Sequence, residues 1–412
     1  MESTKINLVL LNITVDGGFS GVNRYLQTMM HGLSEYSDIV VHTVDVLEKK
    51  DMLFADIHYE GESVRAVIPF PLNTRPVIKE DFWMTAYAGQ VADMLNDYFR
   101  GKQNLIWNVH CINLSRLAVI MKQRHGGKVL TYLHCIPWKF DIEVNPSRFI
   151  ERYRKYLDQQ YADFNDSAVE KLTYEVADHL VCVTESARSY LINFMQVPAE
   201  KISVVMNGLH PMKQEGEIGR ESKKNELLYV GRISREKGVP CLLEALRKVK
   251  RKGYVFRLTL AGPGRPAFVE SLKEKYADLE LNFVGQIPFE ELVHKYRTCT
   301  LGIIPSLHEQ CSYVALEMAM FGVPLAVTDV DGLAEMFVQR RTALKVPLVF
   351  DDVKGLDVDT GKLADAVACL LGKPVLRKQL SENVRHYFLE HFTVDKMLKN
   401  TLEIYNRMLC LK

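Results

Sequence analysis

The sequence predicts an α/β protein made of two Rossmann-like domains, and three observations support this prediction. Its 412 residues are too many for one ordinary core and suit two domains of about 200 residues each. Short apolar runs recur along the chain, as is typical of strands buried on both faces. Segments with helical spacing, such as residues 22–33, lie between them, and this alternation predicts parallel sheets. The apolar runs are residues 6–11, 39–44, 105–109, 129–133, 180–183, 227–230, 258–261, 301–304 and 325–327.

Composition and charge exclude several classes of protein. Hydrophobic residues make up 47% of the chain and charged residues 25%, which excludes a disordered or fibrous protein. The 52 Lys and Arg residues nearly balance the 51 Asp and Glu residues. No overall positive charge therefore attracts nucleic acid, and we expect no nucleic-acid partner.

The cysteines and the N-terminal segment favour a cytoplasmic protein. The eight cysteines are scattered, without a C-x-x-C pair or metal-ligand spacing, as in a reduced cytosolic chain. The sequence contains neither a signal-like apolar stretch nor the roughly 20 apolar residues of a membrane span. The basic run at residues 247–252 would permit only a weak peripheral contact with the inner face of a membrane.

A domain boundary is predicted where turn-forming and polar residues follow one another. Asn207-Gly208 precedes the polar stretch 213–224, whose composition is typical of a linker. We therefore expect a first domain at residues 1–208 and a second at 209–391. The amphipathic segment 392–412 needs a surface to pack on, and we expect it to return to the first domain.

A glycine-bounded loop is the strongest local signal. Residues 231–238 follow the apolar run 227–230 and precede a predicted helix, and loops of this kind bind ligands in open α/β sheets. Arg232 and Lys237 would offer a diphosphate two positive charges beside a helix N-terminus. The alternative is a solvated basic turn. The missing G-x-x-x-x-G-K-[ST] pattern argues against a P-loop nucleotidase.

Two glutamates eight residues apart form the second signal. Glu309 lies in the loop after the run 301–304, and Glu317 lies inside the helix for which Ser312 is the predicted N-cap. Carboxylates suit vicinal hydroxyls of a ribose or hexose, whereas the amides around residues 312–314 suit phosphate. The position of the two glutamates after a predicted strand favours a ligand-binding site more than their spacing alone does.

These motifs together resemble the family-4 glycosyltransferases of the GT-B class. Besides the loop 231–238 and the two glutamates, Gly322-Val323-Pro324 and the first loop, residues 17–24, are similar to that family. The resemblance covers almost the whole chain. It implies two Rossmann-like domains that face a cleft, with the C-terminal helix crossing back to the first domain.

The resemblance also implies the reaction: retaining transfer of a hexose-type sugar from a nucleoside diphosphate sugar, UDP- or GDP-linked, to an acceptor hydroxyl. Arg232 and Lys237 would neutralise the leaving diphosphate, so no metal or other cofactor is expected. Glu317 would bind the nucleotide ribose and Glu309 the hydroxyls of the transferred sugar. The predicted catalytic residues are His134, Glu309, Arg232 and Lys237. The predicted substrate-binding residues are Gly17, Gly18, Gly231, Arg232, Lys237, Ile287, Glu309, Cys311, Ser312, Tyr313, Val314 and Glu317.

Two histidines follow neighbouring apolar runs. His134 follows the run 129–133, and the resemblance makes it the active-site histidine that contacts the donor sugar, with a role in orientation rather than as a general base. His110 follows the run 105–109 and is the alternative candidate for the active-site histidine. The resemblance further points to front-face attack, in which the leaving phosphate takes the acceptor proton. A double displacement would need a carboxylate nucleophile, for which Glu309 is the candidate.

The sequence departs from the family pattern next to the predicted donor site. Cys311 and Ser312 stand where an aromatic residue and a glycine are usual, and Cys135 follows the active-site histidine where an aspartate is common. The acceptor stays open among a saccharide, a lipid-linked precursor, a small molecule and a peptide, and so does the oligomeric state. The alternatives are a non-catalytic GT-B subunit that binds a partner protein and another GT-B enzyme such as a nucleotide-sugar epimerase.

Overall fold

The computed structural model describes residues 5–15, 21–48, 54–70, 80–144, 146–147, 150–151, 165–212, 225–351 and 355–410. The chain forms two compact units. The first comprises Met1–Lys139, Phe149–Asn207 and Val394–Lys412, and the second comprises Phe140–Arg148 and Gly208–Thr393. The division at residues 207 and 208 lies beside the predicted boundary. Grouping Phe140–Arg148 with the second unit was not predicted.

The first unit is built on a mostly parallel sheet. The described strands pair in the order β3-β4-β2-β1-β5-β6-β7-β8, and β3 alone is antiparallel to its neighbour. These strands are β1 (Ile6–Val15), β2 (Ile39–Glu48), β3 (Asp56–Glu60), β4 (Ser63–Pro69), β5 (Leu105–Val109), β6 (Lys128–Leu133), β7 (His179–Cys182) and β8 (Ile202–Val204). Its first six helices are α1 (Gly21–Leu33), α2 (Glu80–Phe99), α3 (Ser115–His125), α4 (Pro137–Val144, whose last residues belong to the second unit), α5 (Asn165–Val176) and α6 (Glu185–Asn193).

The second unit repeats this architecture with a smaller parallel sheet. The strand order of this sheet is β11-β10-β9-β12-β13-β14, and a separate antiparallel pair, β15–β16, lies outside it. The strands are β9 (Asn225–Val230), β10 (Phe256–Ala261), β11 (Leu281–Gly285), β12 (Leu301–Ile304), β13 (Leu325–Thr328), β14 (Leu344–Val346), β15 (Leu348–Asp351) and β16 (Gly355–Val358). The helices are α7 (Val239–Arg251), α8 (Pro266–Lys275), α9 (Phe289–Thr298), α10 (Tyr313–Met320), α11 (Asp331–Met336), α12 (Thr360–Gly372) and α13 (Pro374–His391).

The last helix, α14 (Val394–Leu409), packs in the first unit, as predicted. Polar side chains fix its position as well as apolar ones. The hydroxyl of Tyr405 accepts a hydrogen bond of 3.1 Å from the amide of Asn108, and the hydroxyls of Tyr132 and Thr401 lie 2.9 Å apart. All four side chains are buried, so α14 is held by specific partners on β5 and β6 and not by apolar contact alone.

The predicted fold class is confirmed: two α/β units, each with a parallel central sheet. The nine apolar runs all coincide with strands. Both antiparallel pairings, β3–β4 and β15–β16, involve strands outside these runs and were not predicted. None of the helices in the described ranges is both long enough and apolar enough to cross a membrane.

A buried histidine links the stability of the first unit to pH. The Nδ1 of His42 accepts a hydrogen bond of 2.8 Å from the N–H of Val64, so the ring is neutral and its Nε2–H donates to the Asn7 side chain at 3.0 Å. Burial, helped by the charge of Lys102, lowers the pKa of His42 to about 3. The folded chain therefore does not protonate this ring at a pH where the unfolded chain does.

We expect the free energy of unfolding to fall as the pH drops below about 6.5. His42 then binds a proton in the unfolded chain but stays unprotonated in the folded chain. Replacing His42 with Gln should remove this contribution, which is at most about 1.4 kcal/mol per pH unit. Urea unfolding at about pH 7 and about pH 5 measures the difference. His294→Gln, at an exposed position of α9, is the control. An equal change in both variants would contradict the prediction.

Candidate functional site

The loop after β9 lies at the switch point of the second sheet. β9 has β10 on one side and β12 on the other, and open α/β sheets bind ligands where the strand order reverses in this way. Gly238 has a φ of +68°, and a Cβ at this position would lie 1.8 Å from the carbonyl oxygen of Pro305. The N–H of Leu307 donates to the carbonyl of Glu236 at 2.9 Å. The loops after β9 and β12 are therefore held together.

The two predicted cations occupy different environments in this loop. Arg232 is exposed, and its carbonyl accepts a hydrogen bond of 2.6 Å from the hydroxyl of buried Tyr229. Gly231, with a φ of +143°, turns the chain immediately before it. Lys237 is half-buried. The loop thus presents one solvated guanidinium and one sheltered ammonium group.

Lys237 forms an ion pair with Glu309, the carboxylate predicted to bind sugar hydroxyls. The Lys237 Nζ lies 2.5 Å from Oε1 of Glu309, and these side chains are 33% and 14% exposed. The hydroxyl of Ser306 donates to the same oxygen at 3.0 Å. The carbonyl of Glu309 accepts from the N–H of Gly332 at 2.8 Å, which anchors the backbone of this loop. The structure therefore brings together two residues that the sequence separates widely.

The helix α10 begins where the sequence predicts. Ser312 is its N-cap, and the hydroxyl accepts a hydrogen bond of 3.4 Å from the N–H of Ala315. The first amides of a helix have no partner within the helix and carry its positive dipole end, so this terminus suits an anion. Cys311 and Tyr313 are buried here, whereas Val314 is partly exposed.

Glu317 lies inside α10 and is oriented by a tyrosine that the sequence analysis missed. The hydroxyl of Tyr296, on α9, donates to Oε2 of Glu317 at 2.7 Å. Both side chains are buried, and the Tyr296 ring stacks on Phe321 with centroids 5.6 Å apart. A buried carboxylate with a fixed orientation can accept hydrogen bonds from hydroxyl groups, and the ribose contact of Glu317 stays a prediction.

Of the three remaining predicted substrate-binding residues, Ile287 belongs to the part of the chain that the structure describes. Ile287 is half-buried between β11 and α9, and β10 separates β11 from β9. Gly17 and Gly18 lie outside the described residues.

In the first unit, the two candidate histidines contact each other. His110 and His134 follow β5 and β6, and Nδ1 of His110 lies 3.0 Å from Nε2 of His134. Their rings stack with centroids 5.3 Å apart, and the ring of Tyr25 packs against the edge of the His134 ring at 4.8 Å. Burial lowers the pKa of His134 to about 4 and that of His110 well below its usual range. Both rings are therefore neutral at physiological pH.

A cluster beside Glu309 also escaped the sequence analysis. The Nδ1 of buried His308 lies 3.0 Å from Asp331 and 3.5 Å from Glu143, which belongs to the segment Phe140–Arg148 of the same unit. Among the described residues these three form one group whose ligand atoms are close enough to hold a metal ion. Burial alone lowers the pKa of His308, but the two carboxylates raise it above its usual value. In its protonated form the His308 ring is therefore an ion-pair partner of both carboxylates.

Only part of this environment left a signal in the sequence. Ser306 and His308 lie within three residues of Glu309. A search for polar residues next to a predicted site residue would therefore identify both. Tyr296 lies 21 residues before Glu317 and contacts it only through the packing of α9. No local pattern identifies such a residue.

Two family models match the chain in succession. The model described as Glycosyltransferase Family 4 matches residues 19–212. The model described as Glycosyl transferases group 1 matches residues 212–387. The two together span both compact units.

Known proteins with similar sequences or structures agree with these matches. Alpha-D-kanosaminyltransferase from Streptomyces kanamyceticus is 25% identical over 256 residues, which are 59% of this chain and 64% of that protein. The alignment thus spans less than two thirds of that relative. The structure of sucrose-phosphate synthase from Thermosynechococcus elongatus has a TM-score of 0.75 at 19% identity and covers 98% of this chain and 100% of that chain. Anabaena HepE in complex with UDP-glucose has a TM-score of 0.67 at 14% identity, covering 97% and 99%. Both structural likenesses concern the GT-B fold.

The contact between Gly238 and Pro305 makes a prediction about stability. Replacing Gly238 with Ala should lower the free energy of unfolding, because the new methyl group meets the Pro305 carbonyl in addition to the strain of a positive φ. Gly253→Ala is the matched control, since its φ is +87° but nothing lies within 4 Å of the added atom. We expect Gly253→Ala to cost about 1–2 kcal/mol in urea unfolding and Gly238→Ala clearly more. Equal losses would show that the two loops are not packed this closely.

Proposed function

Because the chain belongs to the group 1, family 4 glycosyltransferases of the GT-B fold, we propose that it transfers a hexose-type sugar from a nucleoside diphosphate sugar to an acceptor hydroxyl, with retention at the anomeric carbon. The observation that carries this proposal is the pairing of Lys237 with Glu309 at the switch point of the second sheet. One group suits phosphate and the other suits sugar hydroxyls, and a sugar diphosphate needs both at adjacent positions.

The diphosphate is bound by positive groups from two neighbouring loops. Lys237 and Arg232 supply charge from the loop after β9, and the first amides of α10 supply the dipole of a helix N-terminus. When a diphosphate binds, Lys237 exchanges part of its interaction with Glu309 for a phosphate oxygen. These cations do the work that a bound metal ion does in other transferases, so we propose that the reaction needs no metal.

The sugar and the nucleoside are recognised by the two glutamates. Glu309 accepts hydrogen bonds from hydroxyls of the transferred sugar, while Ser306 and the N–H of Gly332 hold its loop in place. Glu317 accepts from the ribose hydroxyls, and Tyr296 fixes its orientation. Both carboxylates are mostly shielded from water, so each hydrogen bond to a hydroxyl contributes more than it would at the surface.

Retention follows from attack on the face that the diphosphate leaves. The acceptor oxygen forms its bond to the anomeric carbon as the bond from that carbon to the β-phosphate oxygen breaks. The acceptor proton passes to the departing phosphate oxygen, whose growing charge Lys237 and Arg232 stabilise. The ion pair with Lys237 weakens Glu309 as a nucleophile, which favours this route over a double displacement through a glycosyl-enzyme.

We propose uridine as the first nucleoside to test, because a protein of similar fold, HepE, has been solved with UDP-glucose. The acceptor is proposed only as a compound with a free hydroxyl, and a saccharide is the first class to test. A cytoplasmic location remains a prediction from the cysteines. One assay distinguishes the transferase from the two alternatives, an epimerase and a non-catalytic subunit. It measures whether the sugar is transferred, isomerised or only bound.

Loss of the Lys237 charge should weaken donor binding. We expect Lys237→Ala to raise the Kd for UDP-glucose, measured by calorimetry with EDTA present, by roughly ten- to hundredfold, the range for a hydrogen bond to a charged group. Lys273→Ala is the control because Lys273 is also paired with a glutamate, Glu270, in the second unit but lies on α8. If no nucleoside diphosphate sugar binds the wild-type chain, the proposed function is wrong. If EDTA abolishes binding, the metal-free proposal is wrong.

Removing the Tyr296 hydroxyl should weaken recognition of the ribose selectively. Tyr296→Phe keeps the stacked ring but leaves a buried oxygen of Glu317 without this donor, so we expect about tenfold weaker binding of UDP. Binding of inorganic pyrophosphate should not change. Tyr276→Phe, another buried tyrosine of this unit, is the control. An equal loss of affinity for UDP and for pyrophosphate would mean that Glu317 does not contact the ribose.

A further inference from the structure

The contact between His110 and His134 determines which nitrogen of each ring carries a proton. A neutral imidazole has one donor nitrogen and one acceptor nitrogen. Because Nδ1 of His110 lies 3.0 Å from Nε2 of His134, one of these atoms must donate and the other must accept. Two arrangements satisfy this contact, and they give His134 opposite hydrogen-bonding properties at its other nitrogen.

The surroundings of His110 select between these arrangements. His110 is 5% exposed, and its Nε2 is buried without a hydrogen-bond partner among the described residues. If His134 were the donor, His110 would carry its proton on Nε2 and bury an unpaired N–H. If His110 is the donor, Nε2 is an unpaired acceptor instead. In folded proteins, buried N–H groups without a partner are rarer than buried acceptors without a partner.

We infer that His110 is a positioning residue, which donates its Nδ1–H to Nε2 of His134 and so holds His134 in the tautomer with the proton on Nδ1. This inference rests on the proposed function for its role in turnover, but not for the tautomer itself. The Nε2 of His134 is occupied by His110 and its Nδ1 is protonated, so His134 has no lone pair to take a proton from an acceptor. Its Nδ1–H is a fixed hydrogen-bond donor for an oxygen of a bound ligand.

The packing around the two rings supports this assignment. Tyr132 stacks on His110 with centroids 5.3 Å apart, and Tyr25 lies against both histidines. These contacts prevent the rings from turning away from each other. His134 itself is only partly buried, so its Nδ1–H can reach a ligand while His110 stays enclosed.

The tautomer can be measured directly on the full-length protein labelled with 15N-histidine. Long-range proton–nitrogen spectra distinguish protonated from unprotonated ring nitrogens, and the signals of the pair are assigned by their loss in His110→Asn and His134→Asn. We expect Nδ1 of His134 to be protonated and Nε2 unprotonated. A proton on Nε2 of His134 overturns the inference, whether or not the protein transfers sugar.

Two variants whose side chains have the same number of non-hydrogen atoms and the same branching test the role in turnover. Asn at position 110 retains an amide donor close to the place of Nδ1, whereas Leu leaves the same space without a donor. We expect His110→Leu to lower kcat with UDP-glucose and a saccharide acceptor at least tenfold relative to His110→Asn, with a smaller change in KM for the donor. If the two variants have equal kcat, His110 only fills space and the positioning role is wrong. Failure of the wild-type protein to turn over refutes the proposed function instead and leaves the tautomer measurement valid.

Discussion

The approach of the Gly238 backbone to Pro305 is the constraint on which the candidate site of the second unit depends. With the added Cβ only 1.8 Å from a carbonyl oxygen, no other residue type fits this position without movement of the chain. The contact joins loops from two adjacent parallel strands, and it is this junction that places Lys237 beside Glu309. A looser junction would leave an ammonium and a carboxylate in water, where their attraction is weak.

The buried polar groups of the two candidate sites have different kinds of partner. In the second unit, charges are compensated by charges: Lys237 by Glu309, and His308 by Asp331 and Glu143. In the first unit, burial keeps His42, His110 and His134 neutral, and their neighbours are amides or another imidazole. A site that binds an anionic diphosphate requires fixed charge, whereas neutral rings suit hydrogen bonding to uncharged hydroxyls.

The sequence predicted the architecture well because the strands of a parallel sheet are apolar on both faces and alternate with helices along the chain. It also predicted the start of α10, since Ser312 is a strong N-cap, and the position of Glu309 in the preceding loop. Seven of the described strands lie outside the predicted runs, among them β3 and β16, which are short and carry polar residues. Tyr296 and the contact of His110 with His134 could not be predicted, since they depend on how separate elements pack. The predicted roles of the site residues stay predictions, and Gly17 and Gly18 lie outside the described ranges.

The position of α14 has a consequence for how the chain acquires its structure during synthesis. The partners of Tyr405 and Thr401 are Asn108 and Tyr132, in strands that leave the ribosome long before residues 394–409 exist. Until that helix is made, the first unit exposes the surface that α14 covers, including the groove where Gly32 meets Leu398. Nearly all of the second unit is synthesised in between and can fold as a continuous segment. The first unit is therefore the last to be completed, and its uncovered surface stays exposed until then.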